Sequence, residues 1–164
     1  MALISHPLPN PLSDGRQSDR ALLVRRGVQR LFMDMQAVML PELTLVSGRR
    51  ADLMILTPKG DFWIIEIKSS VEDLRADSKW PDYRAWCDRL YFATHPEVPA
   101  GIFPEEAGFI LSDGYGAEIL REAPEHRLAG ARRKALTARF ARTGAQRLLM
   151  AELAGISIEP VTQE

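Results

Sequence analysis

Arg50-Ala51-Asp52-Leu53-Met54-Ile55-Leu56 and Phe62-Trp63-Ile64-Ile65-Glu66-Ile67-Lys68 flank the turn-forming segment Thr57-Pro58-Lys59-Gly60-Asp61. Two apolar runs, the second rich in β-branched and aromatic residues, around a Pro/Gly loop predict a β-hairpin, Ala51–Leu56 with Phe62–Lys68. Side chains alternate faces along a strand, so Asp52, Met54 and Leu56 share one face and Ala51, Leu53 and Ile55 the other. On the second strand Phe62, Ile64, Glu66 and Lys68 share a face, opposite Trp63, Ile65 and Ile67. Pairing Leu56 with Phe62 across a loop of five residues sets Asp52 directly opposite Glu66, with Cβ atoms about 4.5–5.5 Å apart. Lys68 then lies roughly 7 Å further along the same face. A register slip of one residue would send one set to the other face.

Two carboxylates at that separation repel one another unless positive charge lies between them. A hard divalent cation meets the need: Mg²⁺ binds through one or two carboxylates and keeps several waters. Such an ion activates a water and stabilises a phosphate under attack. The Lys68 ammonium would hold the nucleophile or offset transition-state charge. An isolated Asp…Glu-x-Lys is short and common, and is ordinarily read as strand-end charges with the lysine paired to one acid. Here the hairpin context, the matching face parity and the charges ending two otherwise apolar strands favour a site for metal-assisted phosphodiester chemistry.

The rest of the chain bounds the setting. Its 164 residues, 46% hydrophobic and 26% charged, suffice for one domain with a substantial core. The division expected is a proline-rich arm over residues 1–16 and a single domain over 17–164. The net charge of −1 advertises no polyanion partner. One cysteine, Cys87, permits no intrachain disulfide and suits a reducing cytoplasm; among Tyr83, Trp86 and Tyr91 it reads as a core thiol. The N-terminus lacks the charged and apolar regions of a signal peptide, and no apolar run is long enough to span a membrane. The expected location is cytoplasmic, without membrane contact. His6, His95 and His126 are scattered, and neither zinc spacing, a phosphate loop nor a serine-nucleophile elbow is present.

Helical periodicity predicts a first helix from Ser18 or Asp19 to about Met35, with Val24, Val28, Leu31 and Met35 toward the core, closed by Pro41. Glu42–Val46 reads as a strand, the first of three in a meander. A polar passage covers Ser69–Lys79, a helix Pro81–Arg89, and strands Tyr91–Thr94, Gly108–Ser112 and Ala117–Arg121, with a proline-rich loop over Pro96–Glu106. A last helix spans about Leu128–Leu153, broken near Gly144, with Leu136, Phe140 and Leu149 on its apolar side. This alternation predicts an α/β fold, a mixed central sheet flanked by helices, with a parallel crossover after the second helix.

With Asp52, Glu66-x-Lys68 and that element order, the chain resembles the PD-(D/E)XK nuclease superfamily and its restriction-endonuclease-like αβββαβ core. Within it the resemblance is to the MmcB-like DNA repair proteins of bacteria. It is carried by Leu40-Pro41-Glu42, Gly48-Arg49-Arg50-Ala51-Asp52, Ile65-Glu66-Ile67-Lys68-Ser69-Ser70, Lys79-Trp80-Pro81-Asp82-Tyr83 and Tyr115-Gly116-Ala117-Glu118, extended by Arg121-Glu122-Ala123-Pro124 and Ala131-Arg132-Arg133-Lys134-Ala135. These strings cover about Ser18–Leu149. The resemblance implies that Asp52 and Glu66 bind Mg²⁺ or Mn²⁺ and that Lys68 acts in catalysis. A first-helix Glu of many members has no counterpart here, which leaves Glu42 as the candidate further ligand. The Gln-x-x-x-Tyr of some members corresponds to Lys79 and Tyr83, with Lys for Gln, and Ala51 replaces the proline of the superfamily name.

The activity so implied is a metal-dependent DNA endonuclease in DNA repair, with DNA and other repair proteins as partners and a homodimer as a candidate assembly. Arg50 is a candidate phosphate contact. Arginines gathered on the first helix (Arg25, Arg26, Arg30) and the last (Arg132, Arg133, Arg139, Arg142, Arg147) form a candidate phosphate rim or a solvated basic face. Asp73 and Asp77 read as a solvated loop face rather than outer groups of the site; Trp86 reads as core, with Trp80 open to core or base stacking. The rivals are a non-catalytic DNA-binding or repair-complex scaffold of the same fold, and a protein-interaction adaptor.

Overall fold

A computed structural model describes residues 17–157; the arm expected over residues 1–16 lies outside the described residues, as do 158–164. The elements run α1 (Asp19–Asp34), β1 (Val38–Thr44), β2 (Arg50–Leu56), β3 (Phe62–Ile67), α2 (Val71–Ala76), a 3₁₀ segment (Trp80–Trp86), β4 (Arg89–Thr94), a 3₁₀ turn (Ala100–Ile102), β5 (Gly108–Ser112), β6 (Ala117–Arg121) and α3 (Gly130–Leu153). The six strands form one mixed sheet in chain order. β1, β2 and β3 are an antiparallel meander, β4 joins β3 and β5 joins β4 in parallel, and β6 returns antiparallel.

The two faces follow from the alternating strand pattern. α1 is capped by Ser18, whose hydroxyl accepts from the Ala21 N–H. It lays Val24, Val28 and Phe32 on Leu53, Ile55, Ile65, Ile67, Tyr91 and Ile110. The opposite face buries Met54, Phe62, Ile64 and Leu90 under Tyr83, Leu128 and Leu136, with Phe140 packed against them. A third cluster, Leu74, Phe92, Val98, Phe103, Ala107 and Phe109, fills the space beneath the proline-rich loop.

Several elements differ from the sequence expectation. β1 begins at Val38 and contains Pro41, which an edge strand tolerates because it need not donate on its outer side. The polar passage after Lys68 holds a short helix, α2, and the turn expected to be α-helical from Pro81 is 3₁₀. α3 runs unbroken through Gly144, where an added Cβ would lie 3.8 Å from the Leu40 side chain. Met35 and Leu149 are exposed; Phe32 takes the inward place expected of Met35.

The alternation also breaks at the paired position Glu42/Asp52. Leu40 and Met54 on one side of it, and Leu43 and Ala51 on the other, all belong to the α3-side cluster, so Ala51 does not share a face with Leu53. Glu42 has a φ of 56° and the 42/52 pair is missing from the ladder. A non-glycine residue in the left-handed region is uncommon and costs energy. Here it shifts the strand's facing by one residue.

Candidate active site

The β2–β3 ladder runs from Leu56↔Phe62 to Leu53↔Ile65. One step further Asp52 faces Glu66, as the loop length requires, and side chains replace the ladder. The Asp52 N–H donates to Glu66 Oε1 at 3.2 Å, and the Ile67 N–H donates to Asp52 Oδ2 at 2.8 Å. Glu66 and Lys68 are only 3% and 6% exposed. They line a polar pocket of about 360 Å³ with Gln17, Ser18, Glu42, Arg50, Asp52, Ser69, Asp73 and Tyr83.

Charge in this pocket is strained. Burial pushes the Asp52 carboxyl up to about 6, with Glu42 and Asp73 adding to the rise and the Ile67 N–H and Lys68 opposing it. Burial, and then the Asp52 charge, push Glu66 well above the ordinary carboxyl range. Burial alone would lower Lys68, but the hydrogen bond to Asp77 and the charges of Glu66, Asp77 and Asp52 outweigh it, so the lysine is held as an ammonium.

Each neighbouring element fixes a part of this arrangement. β4 anchors the Lys68 backbone: its N–H donates to the Ala93 carbonyl, and the Thr94 hydroxyl donates to its carbonyl at 2.7 Å. His95 Nε2 lies 2.8 Å from the Ser69 carbonyl, and His95 Nδ1 accepts from the Glu97 N–H, so Nε2 carries the proton. The Tyr83 hydroxyl donates to the Arg50 carbonyl at 2.8 Å, tying the 3₁₀ segment to the head of β2.

Glu42, on β1 opposite Asp52, reaches the pocket, but its carboxylate is engaged. Oε1 accepts from Gln17 at 2.9 Å, and Oε2 pairs with Arg50 at 3.2 Å. Arg147 of α3 donates to the Pro41 and Glu42 carbonyls, holding the left-handed turn from outside. Asp52 and Glu66 each spend one oxygen on a backbone N–H; Asp52 Oδ1 and Glu66 Oε2 accept no hydrogen bond among the described residues. Among those residues no three His, Cys, Asp or Glu side chains stand together as a metal cage. A half-buried and a buried carboxylate with open oxygens and raised pKa values, in a pocket with room for several waters, fit Mg²⁺ or Mn²⁺ of the kind that takes one or two carboxylates and fills its shell with water.

The other predicted contacts are dispersed. Lys79 is exposed outside the pocket, while Tyr83 of the same motif lines it. Arg26 borders a separate cleft with Met33, Val38 and Met39. Arg132 lies over the Trp86 ring at 4.6 Å and donates to the Ala85 carbonyl. Arg133 is bidentate on buried Asp88 at 2.6 and 2.9 Å, and Asp88 also accepts from the Phe62 and Leu128 N–H groups. That role fastens α3 to the sheet. Cys87 is buried, and burial pushes its thiol up to about 12, as suits an inert core residue.

Asp77, read from sequence as a solvated loop residue, is instead the partner of Lys68: Nζ donates to its Oδ2 at 2.7 Å. The signal was present in Ser70-Val71-Glu72-Asp73. Ser70 caps α2 by accepting from the Asp73 N–H, while Asp73 accepts from the Ser69 N–H. A helix started there returns the chain to the pocket at 77. Gln17 and Ser18, the entry to α1, carried no chemical signature.

A family model described as DNA repair protein MmcB-like matches residues 8–155. A solved structure, of a protein of unknown function from Silicibacter pomeroyi, is 40% identical over 90% of this chain and 99% of that one, with a TM-score of 0.79. No curated protein matches the chain. The family match runs from ahead of α1 to the end of α3 and takes in every residue of the pocket, so the chain belongs to the MmcB-like DNA repair protein family.

Proposed function

We propose that the protein is a metal-dependent DNA endonuclease acting in DNA repair. The observation that carries this reading is half-buried Asp52 paired with buried Glu66, with one open oxygen each, set beside the Lys68 ammonium in a polar pocket. Asp52 and Glu66 would hold Mg²⁺ or Mn²⁺, which supplies a Lewis acid and an acidified water. Lys68, kept protonated, places positive charge where the phosphate gains negative charge, a contribution that burial strengthens. Arg50, at the pocket rim, contacts a phosphate next to the scissile one. Tyr83, with its hydroxyl committed to the Arg50 carbonyl and burial raising its pKa, shapes the wall and moves no proton.

The test uses end-labelled single-stranded, duplex, flap and four-way-junction DNA with Mg²⁺, Mn²⁺ or EDTA. Asp52→Asn and Lys68→Ala proteins are prepared identically. Cleavage that needs metal and is lost in both variants is the expected result, and it names the substrate. Tight metal-independent binding without cleavage would replace the nuclease by a DNA-binding scaffold of the same fold.

A further inference from the structure

Lys68 has three carboxylates in electrostatic reach, yet among the described residues it forms an ion pair with Asp77 alone. The pair is nearly dry: the side chains are 8% and 18% exposed. Burying an ammonium and a carboxylate together costs desolvation that an apolar pair would avoid, so such a pair is poor evidence for a role in stability. Its construction is also specific. The chain leaves β3 after Ile67, caps α2 with Ser70, and ends that helix at Asp77. There the second carboxylate oxygen accepts from the Lys79 N–H at 3.1 Å, which fixes the carboxylate toward Lys68. Asp77 does not line the pocket; Lys68 does.

We infer that Asp77 is a positioning residue that keeps the Lys68 ammonium off Asp52 and Glu66, leaving their open oxygens to a divalent cation. This deepens the nuclease reading and rests on its assignment of Asp52 and Glu66 as the cation's ligands. Without Asp77 the ammonium's nearest anions are those two carboxylates, and it would compete with the ion for them. The substitution Asp77→Asn keeps the size and the acceptor for the Lys79 N–H but removes the charge that holds Lys68.

The experiment is calorimetric titration of Mn²⁺ into the full chain without DNA, for wild type, Asp77→Asn, Asp77→Glu, Lys68→Met and the Asp77→Asn/Lys68→Met double variant. Each protein is first checked for an unchanged circular dichroism spectrum. The expected result is a more than tenfold weaker Mn²⁺ affinity in Asp77→Asn, recovery to within about threefold in Asp77→Glu, and recovery in the double variant, where no ammonium competes. Equal affinity in wild type and Asp77→Asn overturns the inference, as does a double variant no better than Asp77→Asn. Absence of Mn²⁺ binding in the wild type overturns it too. A wild type that binds Mn²⁺ and cleaves none of the four DNAs removes the nuclease and leaves the inference to be judged on the titrations. If Asp77→Asn unfolds, Asp77→Glu against Lys68→Met carries the same comparison, with weaker binding in Asp77→Glu than in wild type overturning the role.

Discussion

At Asp52 the fold holds a carboxylate that partial burial leaves poorly solvated, and the cost has a definite sign. Its folded pKa, about 6, lies above the ordinary value near 4. An acid with a raised folded pKa binds its proton more tightly folded than unfolded, so its ionisation destabilises the fold. The penalty is absent below about pH 4, grows as pH rises through 6, and is complete above it. Two units correspond to about 2–3 kcal/mol. Asp52→Asn, which can still accept from the Ile67 N–H, should therefore raise the melting temperature in EDTA at pH 7.5 by about 5 °C, while the gain shrinks toward zero near pH 4. Differential scanning calorimetry across that range measures it. A variant less stable than wild type at pH 7.5 would contradict the strain assigned to the pair. Millimolar Mn²⁺ should stabilise the wild type and leave Asp52→Asn unmoved, because only a native-state ligand shifts unfolding. Stability given up at a site is the usual mark of function.

Among the elements, α1 shows how tightly the layers close. Gly27 faces the β5–β6 turn so closely that a Cβ there would lie 2.1 Å from Ser112 Oγ and 2.5 Å from the Gly116 carbonyl oxygen. Gly27→Ala would gain helix propensity, yet it must push α1 off the hairpin. The expected outcome is a loss of about 1–3 kcal/mol in urea unfolding, against a gain of about 1 kcal/mol for Gly→Ala in an unobstructed helix. The hairpin that carries Asp52 and Glu66 was legible because period-two alternation and a turn of fixed length leave one register. β5 and β6 were legible as short strands joined by the turn residues Asp113-Gly114-Tyr115-Gly116. α2 was not: six residues give less than two turns, too short for a 3.6 periodicity to emerge from a polar run. Its capping residues, Ser70 and Asp73, were the available sign, and with them went the chance to place Asp77. The facing change at Glu42 was illegible because no glycine marks its left-handed φ; Arg147, 105 residues away, helps to hold it. Pro41 and Gly144 were both read as breaks; an edge strand accommodates the one, and α3 continues through the other.

Across the whole molecule a net charge of −1 conceals segregation. α3 carries Arg132, Arg133, Lys134, Arg139, Arg142 and Arg147 against Glu152. How these guanidiniums are bound matters more than their count. Asp88 cancels the charge of Arg133, whereas Arg132, Arg139 and Arg147 donate to backbone carbonyls, which fix a side chain without neutralising it. Arg139 and Arg142 line a groove with Val46, Thr143 and Gln146, and Arg139 reaches the carbonyl of Thr44, the β1 partner of pocket residue Arg50. Cations held along α3 by backbone carbonyls would suit a phosphate backbone. Two substitutions on α3 should therefore behave in opposite ways. Arg133→Ala strips the partner from Asp88, which is 1% exposed, and should cost about 3 kcal/mol of stability. Any loss of DNA binding should then track the unfolded fraction. Arg139→Ala/Arg142→Ala should leave the melting temperature nearly unchanged and weaken DNA binding. Measured by fluorescence anisotropy in EDTA between 50 and 200 mM salt, its log–log slope should fall by about 1.8 on duplex DNA, or about 1.4 on a single strand, the release expected for two lost phosphate contacts. A slope equal to wild type would mean that the nucleic acid does not run along this groove, and would turn attention to Arg26 and Arg30 at the far end of α1.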